Sequence, residues 1–334
     1  MEIHISNELD DTVWQNFLLH NKFANPFQSK GFNDFINTVP GLKSQLFWIT
    51  SSNELVALCV VTIQKERGIK GYFSRRAIIY GSPLLSSEVN NKVILEYLLE
   101  SINTFLKNKV IYGEIRNTHN YSEFKDVFVK MGWHYNSHLN IEIPIINNTM
   151  DFILKRMKYN RRREINLSIK EGAIIREPIN VNEVQSLYNI LKNLYKSRVK
   201  SPLPDFGYFN SLYKSQIGKI FIVIHNENII GGSFCIYHKE LSINTLYYCG
   251  IRDYHKKIFP THLAIMGAIE FGIMNNLKYL DLMGAGKPNE EYGVRNYKIE
   301  FGGILVEYGR FLFISKPFLY NLGIVGLNLI KKVR

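Results

Sequence analysis

Cysteine is scarce in this chain, acids are outnumbered by bases, and no apolar run is long. The three cysteines, Cys59, Cys235 and Cys249, are an odd number, widely spaced, and each lies in an apolar strand pattern. That argues against a disulfide framework and for reduced core residues of a cytoplasmic protein. The apolar stretches are interrupted well short of the ~20 residues a spanning helix needs. No N-terminal segment joins a charged start, an apolar stretch and a small-residue cleavage site, so no signal peptide is expected. The nine histidines show no metal spacing. His134 and His138 are four apart but follow Gly132-Trp133 in strand-like sequence, where that spacing makes no ligand face. Acids number 29 against 41 lysines and arginines, a net charge of +12. Such a balance favours anionic partners: nucleic acid, phosphorylated carriers or the inner membrane surface.

What the chain does have is concentrated in residues 242–310. A β-rich run (243–250) leads into a basic loop closed by Pro260, then a helix without a polar face (262–274). A short strand (279–283) runs into the turn Gly284-Ala285-Gly286, and Lys298 follows in Tyr297-Lys298-Ile299-Glu300-Phe301-Gly302-Gly303. Glycines at a strand's C-terminal end let backbone amides approach a ligand, and α/β sheets bind ligands at that edge. Lys298 beside such amides suits an anionic donor or a developing oxyanion. The plainer reading is that Gly284 and Gly286 only turn the chain and Lys298 is solvated.

The chain reads as a duplication. Strand (46–50), turn, strand (55–64), basic loop, strand (77–80), helix (91–107) and strand (110–116) are matched by strand (220–224), turn, strand (229–237), strand (243–250), helix and strand. The turn residues Glu54 and Glu227 are 173 positions apart, and the later-strand carboxylates Glu114 and Asp281 are 167 apart. Two such similar periods over one element order predict two copies of an α/β unit. The junction is expected at the polar turn Asn147-Asn148-Thr149, where Thr149 or Asp151 can cap a basic helix. If residues 151–169 form one helix, Ile153, Leu154, Met157, Ile165 and Ile169 are its apolar stripe, and Arg161 falls within it. A buried arginine needs a carboxylate partner, a cleft to reach into, or a break in the helix. The loop 202–207 reads as a surface connector or a substrate-facing rim. The tail 318–334 reads as an amphipathic helix, with Leu319, Leu322, Val325, Leu329 and Ile330 apolar, packed on the protein or touching a membrane surface.

Four segments in this order resemble the Fem-type peptidyltransferases, which belong to the GNAT acyltransferase superfamily. They are Asn25-Pro26-Phe27-Gln28-Ser29 with Phe32 and Phe35; Arg76-Ala77-Ile78-Ile79-Tyr80-Gly81-Ser82-Pro83; the basic run 158–172; and Tyr297-Lys298 with Phe301-Gly302. The resemblance covers most of the chain. It implies an α/β fold of two tandem GNAT-like (acyl-CoA N-acyltransferase) domains with a cleft between them. The expected divisions are 1–148, 149–315 and a helix, 316–334, packing back on the first domain. One departure is Asn166, roughly where the family's basic helix often has a second arginine.

The resemblance also implies acyl transfer without a resident cofactor or metal. Acyl-CoA enzymes of the fold cradle pyrophosphate in a glycine-rich loop before a helix. Here that loop, 251–260, has no glycine. The Fem-type pattern departs from the acyl-CoA enzymes at the same place, and the resemblance implies an aminoacyl-tRNA donor, with acyl-CoA and surface-polysaccharide N-acetyl transfer as the alternative; a non-catalytic RNA-binding protein is the third class. The expected acceptor is an amine on a nucleotide- or lipid-linked peptidoglycan or glycan precursor. Lys298 is the candidate for donor or oxyanion stabilisation, and Glu114 and Asp281 for proton acceptor or orienter. Arg116, Arg161, Arg162, Gly284, Gly286 and Tyr297 are the expected substrate-binding residues, with Arg116 pairing with Glu114 or holding a phosphate.

Overall fold

In the computed structural model residues 1–65, 71, 74–87 and 90–333 are described, with side chains as far as Val325. The chain forms two compact units, one of residues 1–138 and 307–334, the other of residues 139–306. The polar turn at 147–149 lies inside the second unit, where Thr149 caps the helix Met150–Arg156 by accepting the Phe152 amide.

The first unit is built on a sheet ordered β1 (Glu2–His4), β2 (Leu42–Ser51), β3 (Glu54–Gln64), β4 (Arg76–Tyr80), β6 (Tyr112–Arg116), β15 (Arg310–Ile314) and β7 (His134–Asn136), with β5 (Leu84–Leu85) on β3. The second has the order β14 (Ile304–Glu307), β8 (Leu139–Pro144), β13 (Tyr279–Gly284), β12 (Ser242–Gly250), β11 (Asn228–Tyr237), β10 (Gly218–His225) and β9 (Ile174–Arg176). Both contain an antiparallel meander, a crossover helix and a strand returning parallel to the meander's last: β4 beside β6, β12 beside β13. The long central strands β3 and β11 are buried on both faces, which is why they read as continuous apolar runs instead of alternating ones. Beside the returning strand, each sheet is completed across a chain crossing: β15 fits between β6 and β7, and β8 between β13 and β14.

The crossover helix of the second unit, Pro260–Met274, has buried residues on every side and packs on β10, β11, β12 and the helix Tyr159–Lys170. Pro260 stands at its first turn, where a missing N–H leaves no intrahelical bond unmade.

Three expectations need correction. The span 151–169 is two helices, Met150–Arg156 and Tyr159–Lys170, with Met157 and Lys158 extended between them. The Lys158 amide there donates to the Glu300 carbonyl, an alternative partner that ends the first helix. Lys298 lies in the last turn of a short helix, Gly293–Ile299, and is buried, not solvated as the plainer reading had it. In the hairpins it is Ser52-Asn53 and Asn226-Glu227 that take positive φ, so Glu54 opens its strand as Asn228 does and matches Asn228, not Glu227.

Candidate functional site

The parallel strand pair behaves differently in the two units. In the first, β4 and β6 stay paired for their full length, from Arg76 opposite Tyr112 to Tyr80 opposite Arg116, and the Gly81 amide extends the ladder to the Arg116 carbonyl at 2.9 Å. The opening segment of the chain braces this end. Buried Asn25 donates to the Gly81 carbonyl, and buried Gln28 donates to the Tyr80 carbonyl and accepts the Val60 amide. Gly81 takes φ +80°, and a Cβ there would lie 2.1 Å from Asn25 Oδ1. The segment Asn25-Pro26-Phe27-Gln28 thus acts as a plug.

In the second unit the parallel register stops after Ser242, Ile243 and Asn244 opposite Tyr279, Leu280 and Asp281. Beyond it the pairing of β13 with β8 is also irregular, between Asp281 and Gly284, and Met283 takes φ +60°. Among the described residues, β12 and β13 have no further ladder between them, so the sheet opens at the C-terminal end of β13, the edge where α/β sheets receive ligands.

Asp281 sits at the root of this opening, fully buried. Its Oδ1 accepts the Met283 amide at 2.6 Å, and its Oδ2 accepts from Asn140 at 3.2 Å and Asn244 at 3.4 Å. Burial pushes its carboxyl up to about 6, against those hydrogen bonds and the Lys298 charge. Lys298, 5% exposed, donates to the carbonyls of Leu282 at 2.5 Å, Gly284 at 2.9 Å and Met283 at 3.4 Å. Burial lowers its ammonium to about 8, with Asp281 opposing. All three protons therefore face the main chain of the turn. Lys298 thereby fastens the end of β13. Gly284 is one of its acceptors, and Gly286, at φ +78°, closes the turn by accepting the Leu139 amide.

Tyrosines flank the opening. Tyr297 stacks on Tyr248 at 6.1 Å, and Tyr248 lies 5.9 Å from the Lys298 ammonium. A π-helical turn, Tyr195–Val199, starts with Tyr195 edge-on to Tyr247. Tyr297 also leads into a second cluster. Its hydroxyl is 3.0 Å from His262 Nδ1, and the His262 Nε2 meets the Arg161 guanidinium and, at 3.0 Å, Glu164. Burial and the neighbouring Arg161 lower His262 to about 3, so it is a neutral imidazole.

Arg161, 6% exposed, is the buried arginine that the helix pattern singled out. It donates to Glu300 at 2.6 Å and lies over the rings of Tyr297 and Phe301 at 4.5 and 5.1 Å. Its Nε is buried without a hydrogen-bond partner, its plane occupied by aromatic faces. Arg162 beside it is half-buried. Sequence reading missed Glu300, Glu164 and His262. Glu300 was within the lysine motif, Glu164 was three residues from Arg161, and His262 was the sole ionisable residue in the first turn of an apolar helix.

The first unit holds Glu114 and Arg116 apart from these residues. Glu114 accepts from Arg116 at 2.7 Å and Arg310 at 2.9 Å, and Arg116 lies over the Tyr80 ring. Burial alone raises the Glu114 carboxyl, but the two guanidiniums outweigh it and hold it below its ordinary value. Glu114 is thus the ion-pair partner of both guanidiniums.

At the start of the crossover helix, three of the backbone donors are committed within the protein. The Phe259 amide bonds Ser168 Oγ at 2.9 Å, Pro260 has no N–H, and the His262 and Leu263 amides turn to the Phe259 carbonyl. Gly250 packs so closely there that a Cβ would lie 2.6 Å from the Thr261 nitrogen.

No protein-family model matches the chain, and no curated protein is similar to it in sequence. Solved structures do match. FemX is 14% identical over 96% of this chain and 99% of its own, with a TM-score of 0.74. L-PGS from Bacillus licheniformis is 13% identical over 92% of each chain, with a TM-score of 0.55. A tandem GNAT protein from the clavulanic acid biosynthesis pathway is 9% identical over 94% of this chain and 99% of its own, at 0.54. These likenesses establish the fold: two tandem GNAT-like α/β units, as in FemX.

Proposed function

We propose that the protein is an acyltransferase that moves an aminoacyl group onto an amine of a peptidoglycan or glycan precursor, with the donor held by the second unit. The observation that carries this reading is the parallel strand pair that opens after Asn244 and Asp281 in the second unit while its counterpart stays closed and plugged in the first. The tandem GNAT fold shared with FemX supports it.

An activated ester carbonyl is already electrophilic, so the work is to align an amine, stabilise the tetrahedral oxyanion and take up a proton. Lys298 and Asp281 are assigned here as positioning residues: together they fix the turn from Leu282 to Gly286, the backbone nearest the donor carbonyl. Tyr248 and Tyr297 wall the slot, and Arg161 with Glu300 holds Tyr297 and Phe301 in place. Arg116 and Arg310 outnumber the single carboxylate between them, which suits a phosphate-bearing acceptor, and half-buried Arg162 suits the same role.

The committed amides at Phe259, His262 and Leu263 and the absent one at Pro260 leave Thr261 alone among residues 259–263, with Gly250 packed against its nitrogen, and a pyrophosphate needs several free amides at a helix start, which favours an aminoacyl-tRNA over acyl-CoA. The test is mass spectrometry of precursor pools from cells with and without the protein. A mass increment of one amino acid is expected. An acetyl increment overturns the aminoacyl reading, and identical pools overturn acyl transfer to such a precursor.

A further inference from the structure

The last helix, Pro317–Val333, shows a sharply divided surface. Tyr320 packs edge-on against Tyr112 of β6 at 5.3 Å, and Leu319 beside it is half-buried, so this side belongs to the first unit. The opposite side is apolar and bare: Phe318 is 79% exposed, Leu322 51% and Val325 56%, at the i, i+4, i+7 spacing of a single helix face. Ile324 is exposed as well, and every residue from Asn321 to Val325 is open to solvent. Leu329 and Ile330 have side chains outside the described residues.

Charge distinguishes among occupants for this face. From Tyr308 to Arg334 the sequence carries Arg310, Lys316, Lys331, Lys332 and Arg334 and no aspartate or glutamate. An exposed apolar stripe in a segment whose charged residues are all basic matches the interface of an anionic bilayer, where apolar side chains enter the acyl boundary and basic ones meet headgroups. A second copy of this chain would bring the same positive charge against itself.

We propose that the helix Pro317–Val333 docks the protein on an anionic lipid surface, lying in the interface with Phe318, Leu322 and Val325 inserted. The proposal stands independently of the acyl-transfer reading. It accounts for an apolar face that the first unit does not cover, and it would bring the protein to lipid-borne molecules.

The test is co-sedimentation of the full-length protein with phosphatidylcholine vesicles and with vesicles of phosphatidylcholine and phosphatidylglycerol. Binding to the phosphatidylglycerol vesicles alone is expected, weakening as salt is raised. The double variant Leu322→Glu, Val325→Glu should lose that binding by about tenfold or more while melting like the parent, since both side chains are already in solvent. Equal binding to both vesicle types, no binding to either, or unchanged binding of the double variant overturns it. So does a parent dimer in light scattering that the double variant dissolves, which would assign the face to a second copy. Should the double variant melt lower, Phe318→Ser in the same assay decides, with retained binding counting against the proposal.

Discussion

Lys298 shows how burial turns a charged side chain from reagent into fastener. Replacing it with methionine leaves the carbonyls of Leu282 and Gly284, and the Asp281 carboxylate, without their buried cation. Breaking one side of a buried charged cluster costs about 3–5 kcal/mol, so Lys298→Met should unfold at lower denaturant as well as lose activity. A variant that unfolds with the parent and is merely inactive would return Lys298 to direct chemistry. Asp281 gives a pH signature with a defined sign. Its carboxyl is raised by burial from the usual 3.8 to about 6, so folding favours the protonated form. Its contribution to stability is complete below the ordinary value and is lost as pH rises through about 6. Denaturation curves of Asp281→Asn should therefore gain on the parent between these values, and a constant difference across that window would dissociate the carboxyl from the titration. His262, lowered from 6.5 to about 3 by burial and Arg161, is protonated only on unfolding between those values, so its contribution to stability rises with pH across that window, in the parent and in Asp281→Asn alike.

At the scale of elements, the crossover helix Pro260–Met274 carries the donor question. At its start the Phe259, His262 and Leu263 amides are committed to Ser168 and the Phe259 carbonyl, Pro260 has none, and Gly250 presses on the Thr261 nitrogen. Calorimetric titration with acetyl-CoA should show no saturation below about 1 mM, a binding free energy of only about −4 kcal/mol; a micromolar constant would reinstate the acyl-CoA reading. The glycine-free loop before this helix was legible in sequence, and so were the meander, the crossover helix and the alignment of Glu114 with Asp281 as third residues of equivalent strands. These depend on local periodicity and on turn residues. What escaped depends on distant partners. The apolar stripe from Ile153 to Ile169 continues through Met157, yet the helix breaks because Lys158 finds the Glu300 carbonyl, a residue 142 positions away. Arg161 announced a partner by its place in that stripe, but which carboxylate answered was settled by the fold that brings Glu300 back. Likewise nothing local in Lys298 tells three carbonyl acceptors from open solvent.

At the scale of the molecule, neither sheet is completed in the order in which the chain is written. The first unit lacks a strand between β6 and β7 until residues 310–314 arrive, after the whole second unit has been traversed. That strand is no edge ornament. Phe311, 1% exposed, stacks on Phe128 at 4.0 Å, and Phe313 packs on Trp133 at 5.3 Å, so two of the largest side chains under the first sheet are capped from the far end of the chain. The register is antiparallel on both sides, from Arg310 opposite both Arg116 and Asn136. Closing so long a loop costs little more entropy than closing a short one, because the penalty grows only logarithmically with length. It does require the C-terminal segment to be present. A chain ending at Val306 should therefore leave β7 unpaired, β6 paired with β4 alone, and Phe128 and Trp133 uncovered, and lose cooperative unfolding in the first unit. In the full chain, Phe311→Ala should cost about 3–5 kcal/mol, the range for deleting a buried aromatic ring. The decisive comparison is thermal unfolding followed by tryptophan fluorescence. If the chain ending at Val306 melts in one transition at the parent's temperature, residues 310–314 are dispensable and the two units fold in sequence order after all.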